Sequence, residues 1–194
     1  MTYKELLHTI ETHVTACFKR DMPEHLYYHN LWHTQQVVSH CTEIAAHYSL
    51  AEEEEFKLIA AAWFHDAGQL YKPGLLHEEK SAQLMETFLD EYCSNKVIEA
   101  IHQLILATRY PPAPVSLLEK IICDADTYHF GTPVFLQTDL LVKKELEAFI
   151  GHPVSQWKEK SIQLLQQHRF HTSYCQEKLK AGKQANIDHL KSHL

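Results

Sequence analysis

Apolar residues recur every three or four positions along most of this 194-residue chain, and nowhere do they alternate with polar ones over a useful length. That spacing lines one face of a helix and gives a strand nothing to bury. Leu6, Ile10, Val14 and Phe18 form one stripe, and Val37, Cys41, Ile44 and Tyr48 a second. Ala82, Met85, Leu89 and Tyr92 form a third, and Val97, Ile101, Leu104 and Ile105 a fourth. Further helical patterns cover residues 116–130, 134–150 and 154–181, the last closing at Ala181-Gly182 where a C-cap is expected. The few breaks, at Pro73-Gly74, Pro111 to Pro114, Gly131 to Pro133 and Gly151 to Pro153, are too short to be interdomain linkers. The expectation is an all-α, single-domain helical bundle over residues 1–194, with a polar tail from Lys183 that frays or adds a last helix.

Several function classes are excluded before any motif is read. The longest apolar run, Leu58 to Phe64, is too short to span a bilayer, so no membrane partner is expected. Eighteen basic against 25 acidic residues leave a formal charge of -7, which argues against a face for duplex nucleic acid. The five cysteines are scattered and form no C-x-x-C pair, and Met1 to Arg20 has no continuous apolar stretch. Reduced thiols in the cytoplasm are expected. The outlying number is histidine, 16 residues in all.

Four places concentrate imidazole and carboxylate. Tyr28-His29-Asn30-Leu31-Trp32-His33 spaces two histidines by four, one turn apart on one helix face. Trp63-Phe64-His65-Asp66 ends an apolar helix, His102 sits in an apolar stretch, and Asp124-Ala125-Asp126 follows Ile121-Ile122. A carboxylate beside buried apolar segments needs a positive partner, because burying an unpaired charge costs several kcal/mol or more. Two imidazoles and two carboxylates from separate helices suit a divalent first-row metal ion.

The order His33, His65-Asp66, Asp126 resembles the H…HD…D pattern of the HD superfamily of metal-dependent phosphohydrolases, and Tyr28-His29-Asn30-x-x-His33 is similar to the Y-H-N-x-x-H motif of its cyclic-nucleotide phosphodiesterases. Ala60 to Asp66, Leu106-Ala107-Thr108 and Ala125-Asp126 resemble further steps of the pattern, so the likeness covers residues 25–131, with C-terminal helices beyond. It implies an HD-domain, phosphodiesterase-like fold with His33, His65, Asp66 and Asp126 as ligands of a divalent ion (Mn, Fe, Zn, Ni, Co or Mg), one site or two. It also implies hydrolysis of a phosphate ester or phosphodiester of a nucleotide by a metal-activated water at Asp66, with His29 as general acid. Where the cyclic-nucleotide enzymes carry a further histidine after HD, this chain reads Ala67-Gly68-Gln69, and the C-terminal third offers no convincing purine-clamping glutamine.

His77-Glu78-Glu79-Lys80-Ser81-Ala82 resembles the N-E-x-x-S-A segment of small HD phosphohydrolases, with His77 in place of asparagine. It makes Glu78 a candidate to bind or activate water, and Lys80, His102, Arg109 and Tyr110 candidate substrate contacts. Against these stand plainer roles: a dipole-favoured helix start for Glu78, as for Glu52 to Glu55, a core-edge histidine at His102, and a solvated helix face for His168 and His171. Asp124, two residues from Asp126, points away from it and is read as a supporting or surface group. The expected partner is a small phosphorylated molecule. Two rival readings stay open: a diiron oxygenase completed by His77 and His102, and a nucleotide-binding module without catalysis.

Overall fold

The computed structural model describes residues 1–72, 74 and 76–192; Pro73, half of one predicted break, and His193 lie outside the described residues. These residues form α1 (Tyr3–Asp21), α2 (Leu31–Tyr48), α3 (Glu52–Phe64), α4 (His77–Leu89), α5 (Asn95–Ala107), α6 (Leu117–Asp126), α7 (Phe135–Ile150), α8 (Trp157–Gln167) and α9 (Ser173–Ser192). Short 3-10 turns at Ala67–Leu70 and Tyr128–Gly131 follow α3 and α6. Among the described residues there is no strand.

The core is built around α3. Its first turn is acidic, as a helix N-terminus favours, and from Leu58 to Phe64 every side chain is buried. A helix apolar all round must be enclosed, and α1, α2, α4, α5 and α6 pack about it. They supply the predicted stripes: Leu6, Ile10, Val14 and Phe18 from α1, Val37, Cys41 and Ile44 from α2, Ala82, Met85 and Leu89 from α4. Capping boxes start α1 at Thr2 with Glu5 and α6 at Ser116 with Glu119, satisfying backbone N–H groups that a first turn leaves open.

The structure corrects several boundaries. Tyr92 falls beyond the end of α4 and is exposed. The pattern read as one helix over 154–181 is two, α8 and α9, separated at His168–Thr172. Gly182 is not a C-cap: α9 continues through it, and a Cβ there would lie 1.9 Å from the Gly131 carbonyl oxygen. The missing side chain lets α9 lie directly on the 3-10 turn after α6. Asn186 secures that crossing by donating from Nδ2 to the carbonyls of Phe130 and Thr132, both at 2.9 Å.

Candidate metal centre

Three chain segments converge at one end of α3. Asn30 caps α2, its side chain accepting from the His33 backbone N–H, so His33 projects from the first turn. His65 and Asp66 follow the last residue of α3, and Asp126 is the last residue of α6. Two helix C-termini, each with partial negative charge, thus meet here beside two carboxylates.

His33 Nε2 lies 3.3 Å from Asp66 Oδ2 and 3.1 Å from Asp126 Oδ1. His65 Nε2 lies 3.2 Å from Asp66 Oδ2, 3.8 Å from Asp126 Oδ1 and 3.4 Å from His33 Nε2. His33, His65 and Asp66 are buried. His65 Nδ1 donates to the Ala62 carbonyl at 2.8 Å, which leaves Nε2 of the neutral ring as a bare lone pair facing carboxylate oxygens. Asp66 Oδ2 is buried without a hydrogen-bond donor. Acceptors converging on acceptors out of water call for a cation, and the mixed nitrogen and oxygen donors fit a first-row divalent ion. The same carboxylates draw a proton as they would draw a metal cation: burial opposes the charged form of His33, yet Asp126 and Asp66 outweigh it and raise its pKa to about 9, so an ion would take the place of that proton. Burial likewise opposes charge on Asp66, and the surrounding imidazoles carry its pKa well below the usual range.

His77 joins this cluster through a device the sequence reading passed over. Gly68 packs so closely on the start of α4 that a Cβ would lie 2.1 Å from the His77 carbonyl oxygen, and its N–H donates to Ser81 Oγ at 2.8 Å. The contact brings His77 Nε2 to 3.1 Å from Asp66 Oδ1, while His77 Nδ1 donates to the Gly74 carbonyl. Only glycine permits that approach, two residues after Asp66.

The other candidates divide. His29 is not on a helix with His33, since α2 begins at Leu31; the two rings still meet edge to face at 5.8 Å. Its Nδ1 is bonded to Glu145 Oε1 from α7, and Glu145 Oε2 accepts the backbone N–H groups of Tyr28 and His29 at 2.8 and 3.1 Å. Burial opposes charge on Glu145, but the imidazole and the two N–H groups bring its pKa below the usual range. Glu78 is buried and reaches the centre only through its neighbour, 3.7 Å from His77 Nδ1. Arg109 is taken up by Glu79 at 3.0 Å and Glu78 at 3.8 Å. Among the described residues no hydrogen bond or ion pair engages the Lys80 ammonium. His102 is not brought to the centre: its Nδ1 lies 2.5 Å from Glu86 Oε1 on α4.

Asp124 is neither a surface group nor a neighbour of the cluster. It is fully buried and accepts from the backbone of His171 at 2.7 Å and from the backbone and hydroxyl of Thr172 at 2.8 and 2.6 Å, anchoring the α8–α9 connection. His168 and His171 lie in that connection, not on a helix face. His168 Nε2 is 3.1 Å from Thr127 Oγ1, and burial, with Lys183 adding to it, pushes its pKa down to about 3.

Two cavities flank the cluster. One, about 230 Å³, is lined by Trp32, His33, Gln36 and Asp126. The other, about 480 Å³, opens between α6, α7 and α8 with His29 and Asp126 in its wall. Glu145, Trp157 and His129 belong to these surroundings and carried no motif. His129, three residues past Asp126 and 3.2 Å from the Tyr28 hydroxyl, was the nearest to a readable signal.

Comparison with known proteins agrees with this architecture. No curated protein matches the chain. In fold it is similar to a predicted HD superfamily hydrolase from an uncultured Thermotogales bacterium, at 21% identity and a TM-score of 0.65, covering 100% of this chain and 97% of that one. It is also similar to a Lactobacillus plantarum protein, at 16% identity and a TM-score of 0.70, covering 96% and 94%. A model of the HD domain matches residues 31–131, a span that holds all four clustered donors and more than half of the 194 residues, and the chain belongs to the HD domain family.

Proposed function

We propose that this protein is a metal-dependent phosphohydrolase that cleaves a phosphate ester or phosphodiester of a nucleotide. The observation that carries the reading is the convergence of His33, His65, Asp66 and Asp126 on one point, with a buried carboxylate oxygen lacking any donor, beside a Glu145-held imidazole on a cavity wall. His33, His65, Asp66 and Asp126 would hold the ion, and His77 with the second oxygen of Asp66 would serve a second one. When bound, such an ion lowers the pKa of water and offsets charge on phosphoryl oxygens.

The chain's own groups supply the rest. Glu145 fixes the His29 ring through Nδ1, leaving Nε2 to hold the proton that passes to the departing oxygen as its bond to phosphorus breaks. Buried carboxylates exclude other anions, so a phosphate binds where the net charge of the donor set is relieved. Five free thiols support a reducing, cytoplasmic setting, and the expected partner is a small phosphorylated molecule. The oxygenase reading requires His102 at the centre, whereas its ring is engaged by Glu86.

Metal content and phosphate release from a nucleotide panel test the proposal. The wild type should bind one or two divalent ions per chain and release phosphate. His29→Ala should keep the metal and lose turnover by about 10²–10⁴-fold. Full turnover in His29→Ala, or metal-loaded wild type inert across the panel, would overturn it.

A further inference from the structure

The larger cavity is built asymmetrically, and the asymmetry says what it takes. One end is the metal centre, through Asp126 and His29; the remainder is walled by Trp157, Phe135, Phe130 and Leu164. Its volume, about 480 Å³, is in the range of small-ligand sites. The polar groups along it are largely spoken for. Asp139, buried on α7, accepts from Trp157 Nε1 and from Ser161 Oγ, each at 2.7 Å, and His168 is bonded to Thr127. Among the described residues lining it, Lys160 is the one lysine or arginine.

Trp157 is held by a hydrogen bond as well as by packing. A carboxylate is taken out of water to fix its indole, and the residue before it, Gln156, adopts a left-handed conformation with φ 55° that a non-glycine residue avoids. The ring is nevertheless only half-buried, because the cavity lies against it. A rigid indole beside an apolar chamber is a stacking surface for a flat ring. A leaving group rich in hydroxyls would lose its water there without replacement.

Resting on the hydrolase reading, with its nucleotide substrate, we propose that this chamber is the leaving-group subsite and that Trp157 is the platform on which the heteroaromatic ring of the leaving group stacks. His29 in the same wall would then meet the departing oxygen with the nucleoside seated beyond it.

The test compares AMP with ribose 5-phosphate, which share leaving-group chemistry and differ by the base. Affinities are read by calorimetry on the Mn²⁺-loaded His29→Ala protein, where turnover is slow. AMP should bind about tenfold or more tighter, Trp157→Ala added to this background should erase the difference, and Trp157→Phe, which keeps a ring and the packing, should retain most of it. Equal affinities for the two ligands, or a preference that survives Trp157→Ala, would overturn the subsite. Phosphate release by the wild type separates the two readings: ring-selective binding with no release from any nucleotide overturns the hydrolase alone, and release without ring preference overturns the ring site alone.

Discussion

Gly182→Ala sets two effects of opposite sign against each other. Alanine inside α9 gains up to about 1 kcal/mol of helix propensity over glycine. Against that, its Cβ would stand 1.9 Å from the Gly131 carbonyl oxygen and 2.8 Å from the carbonyl carbon, where ordinary contact begins at 3.4 Å. The obstructing atoms are backbone, so no side chain can turn aside; α9 and the 3-10 turn must separate. Overpacking of this kind costs about 1–3 kcal/mol. Separation also stretches the two bonds from Asn186 to Phe130 and Thr132, each worth about 1 kcal/mol. The net expectation is a loss of about 2–3 kcal/mol, a fall in Tm of about 5–10 °C for a chain of this size. Thermal denaturation followed by circular dichroism reads it directly. An unchanged or raised Tm would mean that propensity wins and that the close approach of α9 is not holding the turn in place.

Two further outcomes follow from buried polar groups. Asp124→Ala leaves two backbone N–H groups and a hydroxyl without an acceptor and should cost about 3 kcal/mol in urea denaturation; a loss under about 1 kcal/mol would refute its anchoring role. His168 has a folded pKa of about 3 against 6.5 unfolded. The unfolded chain therefore takes up a proton that the folded one refuses, and the stability His168 contributes is complete above pH 6.5 and lost as pH falls toward 3. Between pH 6.5 and 5 this amounts to about 2 kcal/mol. His168→Gln should flatten that slope in urea melts at the two pH values, and an identical slope would remove His168 from the acid response.

What the sequence disclosed and what it hid differ in range. The stripes in α1, α2 and α4 were readable because a helix writes its buried face at local spacing, and the HD pair stood out because an apolar helix ended in charge. The split between α8 and α9 was not, since what opens the chain there is Asp124, 47 residues before His171, accepting backbone N–H groups across the fold. Gly182 looked like a helix end because its cause, the Gly131 carbonyl, is equally remote. Glu145 lies 116 residues from His29 and belongs to an ordinary amphipathic helix, with nothing at its own position to mark it. His77 was visible as a histidine, but its arrival at Asp66 depends on the absence of a side chain at Gly68, which a search for chemistry overlooks.

On the proposed reading, α7 lies between a reacting end and a recognising end of the molecule. The residues of the candidate metal centre lie within residues 31–131, the span matched by the HD family, while Asp139 and Glu145 stand six positions apart on a helix outside it. Through them one helix holds both the imidazole and the indole, spaced along its axis by about 9 Å of helical rise. That spacing is a gauge set by α7's own backbone, independent of the ion. A change of leaving group could therefore be accommodated by re-cutting α7 and α8 alone, with α2, α3 and α6 left as they are.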